Sequence, residues 1–175
     1  MKSYIKNKNK KGFSIGEVIL SVFIVGTTLV VVTSIMAKSI GVFLEDKNSV
    51  IAANLSQEGV ELVRNVRDNN WATGQFDDGM DDGSFIIDKD SNLSDASGDN
   101  QFLSYSDSEG YIHGAGDRTK FSRQIRVDVS ATDETIEVVS LVMWGSSTSF
   151  PAGLDACNVS SKCVFTKAVL TDWKK

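Results

Sequence analysis

The chain has few of the residues from which active sites are usually built. It contains one histidine, His113, one proline, Pro151, and two cysteines, Cys157 and Cys163. Two thiols and one distant imidazole cannot fill the four tetrahedral places of a structural zinc site. His113 lies in a glycine-bearing segment and reads as a surface turn residue. Aspartates are plentiful, but half of them collect in one stretch, and no apolar pocket is visible to perturb them. Trp71, Trp144 and Trp173 read as core or interface residues. The expectation is a protein without catalysis, cofactor or bound metal.

Basic charge is scarce outside the N-terminus. The first 12 residues carry Lys2, Lys6, Lys8, Lys10 and Lys11 and no acid. The rest holds 13 basic and 23 acidic residues, a net charge of -10. An acidic body argues against nucleic-acid or phosphate binding as the main task, because that needs clustered Lys or Arg. Arg118, Lys120, Arg123 and Arg126 form a local basic group, read here as a solvated strand face.

Charge is absent altogether from residues 18–37, a run of 20 residues: VILSVFIVGTTLVVVTSIMA. As a helix it would span about 30 Å, the thickness of a bilayer's hydrocarbon core. The five lysines before it would stay in the cytoplasm, and the chain after Lys38 would lie outside. A secretory signal has a shorter apolar core and a small-x-small cleavage site; Ile35-Met36-Ala37 does not supply one. A plain anchor fits the length but leaves Glu17, at the head of the run, without a reason. Gly12-Phe13-Ser14-Ile15-Gly16 also matches the G-x-S-x-G nucleophile elbow. That motif needs a preceding strand, an α/β sheet and a histidine partner, and a lysine-rich tail and an apolar run flank it here.

Lys10-Lys11-Gly12-Phe13-Ser14-Ile15-Gly16-Glu17 and the apolar run together resemble the type IV prepilin signature. The resemblance implies cleavage between Gly12 and Phe13 by a prepilin peptidase and N-methylation of Phe13. It makes Glu17 the fifth mature residue, with a role in assembly. A carboxylate in hydrocarbon costs several kcal/mol unless paired or protonated, and the free amine of Phe13 is its natural partner. Gly26 matches a glycine common in such helices. Ser34 stands where many major pilins have proline, and Glu17-Val18-Ile19-Leu20 looks more like a minor pilin or pseudopilin. The stretches SQEGVELVRN at 56–65, Asp68-Asn69-Asn70-Trp71 and Leu170-Thr171-Asp172-Trp173 are similar to phrases in bacterial prepilin-like proteins.

Beyond residue 37 the helix is expected to continue. Leu44, Ile51, Leu55, Leu62 and Val66 recur at helical spacing and trace one apolar stripe. Gly59 falls on that stripe and reads as a point of close approach. Asp68-Asn69-Asn70 supplies turn chemistry, so the helix is expected over 13–67. Residues 74–100 carry eight aspartates and one lysine and read as a solvated connection, with Phe85-Ile86-Ile87 as an edge strand. Asp88-Lys89-Asp90-Ser91-Asn92 resembles the start of a calcium loop. An EF-hand needs glycine and glutamate at later places, where Leu93 and Asp99 stand.

The C-terminal part reads as antiparallel sheet. Tyr105 and Tyr111 suggest a hairpin turning at 107–110. Ile125, Val127 and Val129 alternate with polar residues, a half-buried strand. Residues 131–134 form a turn, 135–144 a strand apolar on both faces for part of its length and so central, and 164–173 a last strand. In an extracytoplasmic domain Cys157 and Cys163 are expected as a disulfide; two free thiols in a reducing compartment are the alternative.

The expected fold class is α+β and pilin-like, a long N-terminal helix packed on a three- or four-stranded C-terminal antiparallel β-sheet. The expected parts are a leader (1–12), a transmembrane or filament-core half-helix (13–37), an amphipathic half (38–67), a variable connection (68–120) and a sheet with a disulfide loop (121–175). The resemblance implies a minor pilin or pseudopilin of a type IV pilus-like filament. Its partners would be the prepilin peptidase and methylase, other pilin subunits, an assembly platform and, before assembly, membrane lipid. Its place would be the bacterial cytoplasmic membrane, N-terminus inside, and then an extracytoplasmic filament. The competing expectation is a membrane-anchored extracytoplasmic binding module that never polymerises.

Overall fold

No proline interrupts the chain before residue 151, and one helix takes full advantage of this. In the computed structural model, which describes residues 12–73, 79–90, 92–130, 135–145 and 148–171, helix α1 runs over Ile15–Thr73. It starts where the Ser14 carbonyl accepts the N–H groups of Glu17 and Val18 (3.0 and 3.2 Å). The chain divides into two compact units, Met1–Leu44 and Glu45–Lys175.

In the first unit the helix is apolar all round, and it is long and apolar enough to cross a membrane. Its hydroxyl residues do not disturb that character. Thr28 and Ser34 donate back to the carbonyls of Ile24 and Val30 (2.7 and 2.8 Å), and Thr33 and Ser39 do the same one turn back. Polar groups satisfied inside the helix cost little in hydrocarbon.

In the second unit α1 packs on an antiparallel sheet, giving an α+β layout. The strands are β1 (Gly83–Ile87), β2 (Leu93–Asp95), β3 (Phe102–Ser106), β4 (Gly110–His113), β5 (Asp117–Ser130), β6 (Thr135–Trp144) and β7 (Cys163–Thr171). The long β5 organises them. One of its edges pairs along its length with β6, which pairs in turn with β7. Its other edge is shared: β3 takes the first part and β1 the later part. The hairpins β1–β2 and β3–β4 thus lie side by side on β5.

The sheet is therefore wider than the expected three or four strands. The acidic connection folds into hairpins because its few apolar residues are placed to dock. Phe85 and Ile87 join the core beside Ile125 and Val127. Strand β1 is consequently interior, between β2 and β5, and not the expected edge. The tyrosine hairpin forms as read, with Tyr105 opposite Tyr111.

Two core clusters lie between α1 and the sheet. One contains Val63, Ile125, Ile136 and Val138; the other contains Ala52, Leu55, Phe121 and Trp144. The third lies on the opposite face, where Val139 and Leu141 are covered by Phe150, Leu154 and the Cys157–Cys163 disulfide. Strand β6 is buried on both sides, which accounts for its two-sided apolar sequence. The turn at 131–134 lies outside the described residues, as do 172–175 with Trp173.

The helix differs from expectation in phase and length. Its buried positions are Asn48, Ala52, Leu55, Ser56, Gly59, Val60, Val63 and Val66. Ile51 and Leu62 sit at the rim and Leu44 is exposed. Small residues win the centre because the helix comes close to the sheet. A methyl group on Gly59 would collide with the Ser140 hydroxyl and lie 2.9 Å from Ile125 Cδ1. Nor does Asp68-Asn69-Asn70 stop the helix. Asn69 bonds the side chain of Asn65 one turn back (2.8 Å). Arg67 bonds Asp68 and the Thr171 carbonyl (2.6 and 3.1 Å).

Candidate functional site

The residues singled out at the N-terminus lie in the first unit. Gly12 and Phe13 precede the helix, and Phe13 is 82% exposed. Glu17 lies in the first turn, where the positive end of the helix dipole favours an acid. Among the described residues Glu17 makes no ion pair. The five lysines, except through their position before Gly12, fall outside the described residues.

Among the described residues of the first unit, nothing packs on the apolar helix surface. Phe23, Val25, Leu29 and Val30 are all about two-thirds exposed, and even the least exposed large apolar residue, Val32, is 46% exposed. Glu17 and Lys38 are the only charges between residues 13 and 44. Exposed apolar surface of this extent marks a contact surface.

The second unit contains a charge cluster that sequence reasoning missed. Arg123, expected on a solvated face, is fully buried. Its Nη2 donates to the Ile87 carbonyl (2.8 Å) and lies 3.7 Å from Asp88 Oδ1, while Nη1 lies 3.7 Å from Glu58 Oε1. Burial lowers its pKa, and the charges of Glu58 and Asp88 oppose that effect. His113 is not a surface turn residue either. It ends β4, its side chain is 4% exposed, and Nδ1 lies 2.9 Å from Asp88 Oδ1. The same carboxylate accepts the His113 backbone N–H (3.0 and 3.1 Å). Burial pushes the Asp88 pKa up, but the His113 hydrogen bonds and the charge of Arg123 outweigh it, and the net shift is down.

One signal could have found this cluster. Residue 123 is in phase with Phe121, Ile125 and Val127, all buried on the helix side. The alternation continued backwards would have placed an arginine inside. Asp88 is thereby committed to His113 and Arg123. Asp88, Asp90 and Asn92 do line one small cavity of about 160 Å3, with Ser91 outside the described residues. Among the described residues no three His, Cys, Asp or Glu side chains are arranged to hold a metal ion.

A second polar contact sits where the second unit begins. Trp144 Nε1–H donates to Glu45 Oε2 (2.8 Å), and Lys162 Nζ lies 3.7 Å from Oε1. The indole hydrogen bond holds the Glu45 carboxyl below its ordinary range; burial, the next-largest effect, pushes the other way, and the charges of Lys162 and Lys120 add to the lowering. Cys157 and Cys163 are bonded, with Cα atoms 4.9 Å apart.

Comparison with protein-family models, with curated proteins and with solved structures finds no match to this chain.

Proposed function

We propose that this chain is a structural subunit of a type IV pilus-like filament, a minor pilin or pseudopilin. A prepilin peptidase removes residues 1–12, Phe13 becomes the N-methylated terminus, and the subunit joins its neighbours through the apolar helix. The observation that carries this reading is the uncovered helix of the first unit with one acid, Glu17, in its first turn. Hydrocarbon covers such a surface before assembly, and other helices cover it afterwards. Glu17 is the costly element in either setting. The amine released at Phe13 offsets that cost when it meets the carboxylate of a neighbouring subunit. The lysines must go first, because five cations cannot be drawn into an apolar bundle cheaply.

N-terminal mass spectrometry of membranes from the native host tests the proposal. The expected result is a mature chain beginning at N-methylated Phe13, lost when Gly12 is substituted. An intact lysine-rich N-terminus alongside an active peptidase would sink it and leave an anchored binding module as the better account.

A further inference from the structure

A strand with a neighbour on one side only leaves a row of backbone groups without partners. Among the described residues β2, β4 and β7 stand in that position. All three carry a side-chain cap, on β7 only at its end, from Arg67 to the Thr171 carbonyl. On β2, Asn100 donates to the Asp95 carbonyl (2.9 Å). On β4, Asp88 accepts the His113 N–H. Strand β7 is left open along its middle.

The direction of its groups follows from the ladder. The Trp144 N–H donates to the Lys162 carbonyl (3.1 Å), and bonded positions alternate in an antiparallel pair. With Met143 opposite Cys163, residues Val164, Thr166, Ala168 and Leu170 turn their groups toward β6. Cys163, Phe165, Lys167, Val169 and Thr171 turn theirs outward. Two contacts agree: the Cys163 N–H donates to the Asn158 carbonyl (3.0 Å), and the Thr171 carbonyl accepts from Arg67 (3.1 Å). Between those caps no described residue bonds the outward groups of Phe165, Lys167 and Val169. Phe165 and Val169 are also 40% and 55% exposed. Lys167 is the strand's one charge, and Glu137 holds it at 2.6 Å.

We propose that β7 is a self-association edge, on which the β7 of a second copy of this chain pairs antiparallel about a two-fold axis at Ala168. The edge is complementary to itself in this register. Phe165 faces Thr171 and Lys167 faces Val169 of the second copy. Every outward N–H and C=O from Phe165 to Thr171 gains a partner, the Thr171 carbonyl using its second lone pair. The two lysines fall on a diagonal, about 7–8 Å apart, whereas a register centred on Lys167 would set them face to face. Ala168 on the axis lets the Cα atoms approach to about 4.5 Å. The chain's acidic surplus opposes self-association in general, but this edge is locally neutral through Lys167 and Glu137. Strands β2 and β4 have only 3 and 4 residues, so β7, with 9, is the one long edge among the described residues, and such an isologous contact closes on itself. The inference does not depend on the filament reading.

Cysteine cross-linking of the full chain in its membrane tests it. Both native cysteines are already bonded, so an added one is the only thiol. Ala168→Cys is expected to give an oxidant-dependent dimer that reductant reverses, with a 168–168 linked peptide in the mass spectrum. The exposed Lys167→Cys is expected to give none, since disulfides do not reach across about 7 Å between Cα atoms. The double variant Lys167→Cys/Val169→Cys avoids the partly buried position and is expected to cross-link 167 to 169. Val169→Lys added to Ala168→Cys is expected to abolish its dimer. No dimer from either cross-linking variant overturns the proposal. So does an equal yield from Lys167→Cys alone, which marks random collision, and so does an adduct with a different protein.

Discussion

Arg123 brings a full charge into a largely apolar core. Its guanidinium joins four elements: α1 through Glu58, the end of β1 through Ile87 and Asp88, β4 through His113 on Asp88, and its own strand β5. Breaking a buried ionic group by removing one partner is costly because the others stay desolvated. Glu58 and Asp88 retain some solvent, which moderates the loss. Arg123→Ala is expected to lower stability by about 3 kcal/mol, read by chemical denaturation of the full chain in detergent. Asp88 also sets a pH dependence. Its folded pKa lies below the ordinary 3.8, so the stability it contributes is present above that value and is lost as pH falls through the folded pKa. Asp88→Asn is expected to be less stable at neutral pH and to show a flatter acid limb in a pH-melting series. An acid limb as steep as wild type would remove Asp88 from this role. Arg123 was legible in principle through its phase with Ile125. His113 was not, because its burial depends on a carboxylate 25 residues away that no local pattern announces.

At the scale of elements, the helix was legible in existence and less so in phase. Large apolar residues mark a stripe, but they sit at the rim when the contact is made by small ones. Gly59, Ser56 and Ala52 occupy the line of closest approach, and Ser56 bonds both the Ser140 carbonyl and the Thr166 hydroxyl (2.8 Å each). Gly59→Val is expected to destabilise by about 1–3 kcal/mol through overpacking, visible as a lowered melting temperature. A neutral outcome would mean that α1 can lift away from the sheet freely. Strand β6 was legible in full because burial on both faces removes polar alternation from its sequence. The hairpin β3–β4 was legible through Tyr105 and Tyr111, whereas β1–β2 was hidden by the aspartates that surround its two short strands. The disulfide caps the outer face over Leu141. Closing so short a loop restricts the unfolded chain by about 2 kcal/mol. The double variant Cys157→Ser/Cys163→Ser is expected to lose about that much while keeping its fold, as judged by its circular dichroism spectrum.

At the scale of the whole molecule, the two units ask for different surroundings. The described part of residues 45–171 buries three apolar clusters and pairs all seven strands in one sheet, so that unit carries its own core. Residues 13–44 are exposed throughout and present apolar side chains on every side. The sequence showed this division plainly, since a charge-free run of 20 residues needs no tertiary information to be recognised. A fragment beginning at Glu45 is therefore expected to be water-soluble, to melt cooperatively and to keep the Cys157–Cys163 bond. The full chain is expected to sediment with membranes and to leave them only in detergent, resisting both high salt and alkaline carbonate. Salt would release a chain held by its lysines, because ionic attraction is screened. It would not release one held by an apolar helix. Release of the full chain by salt alone would place its attachment in charge rather than in the uncovered helix, and would remove the observation on which the filament proposal rests.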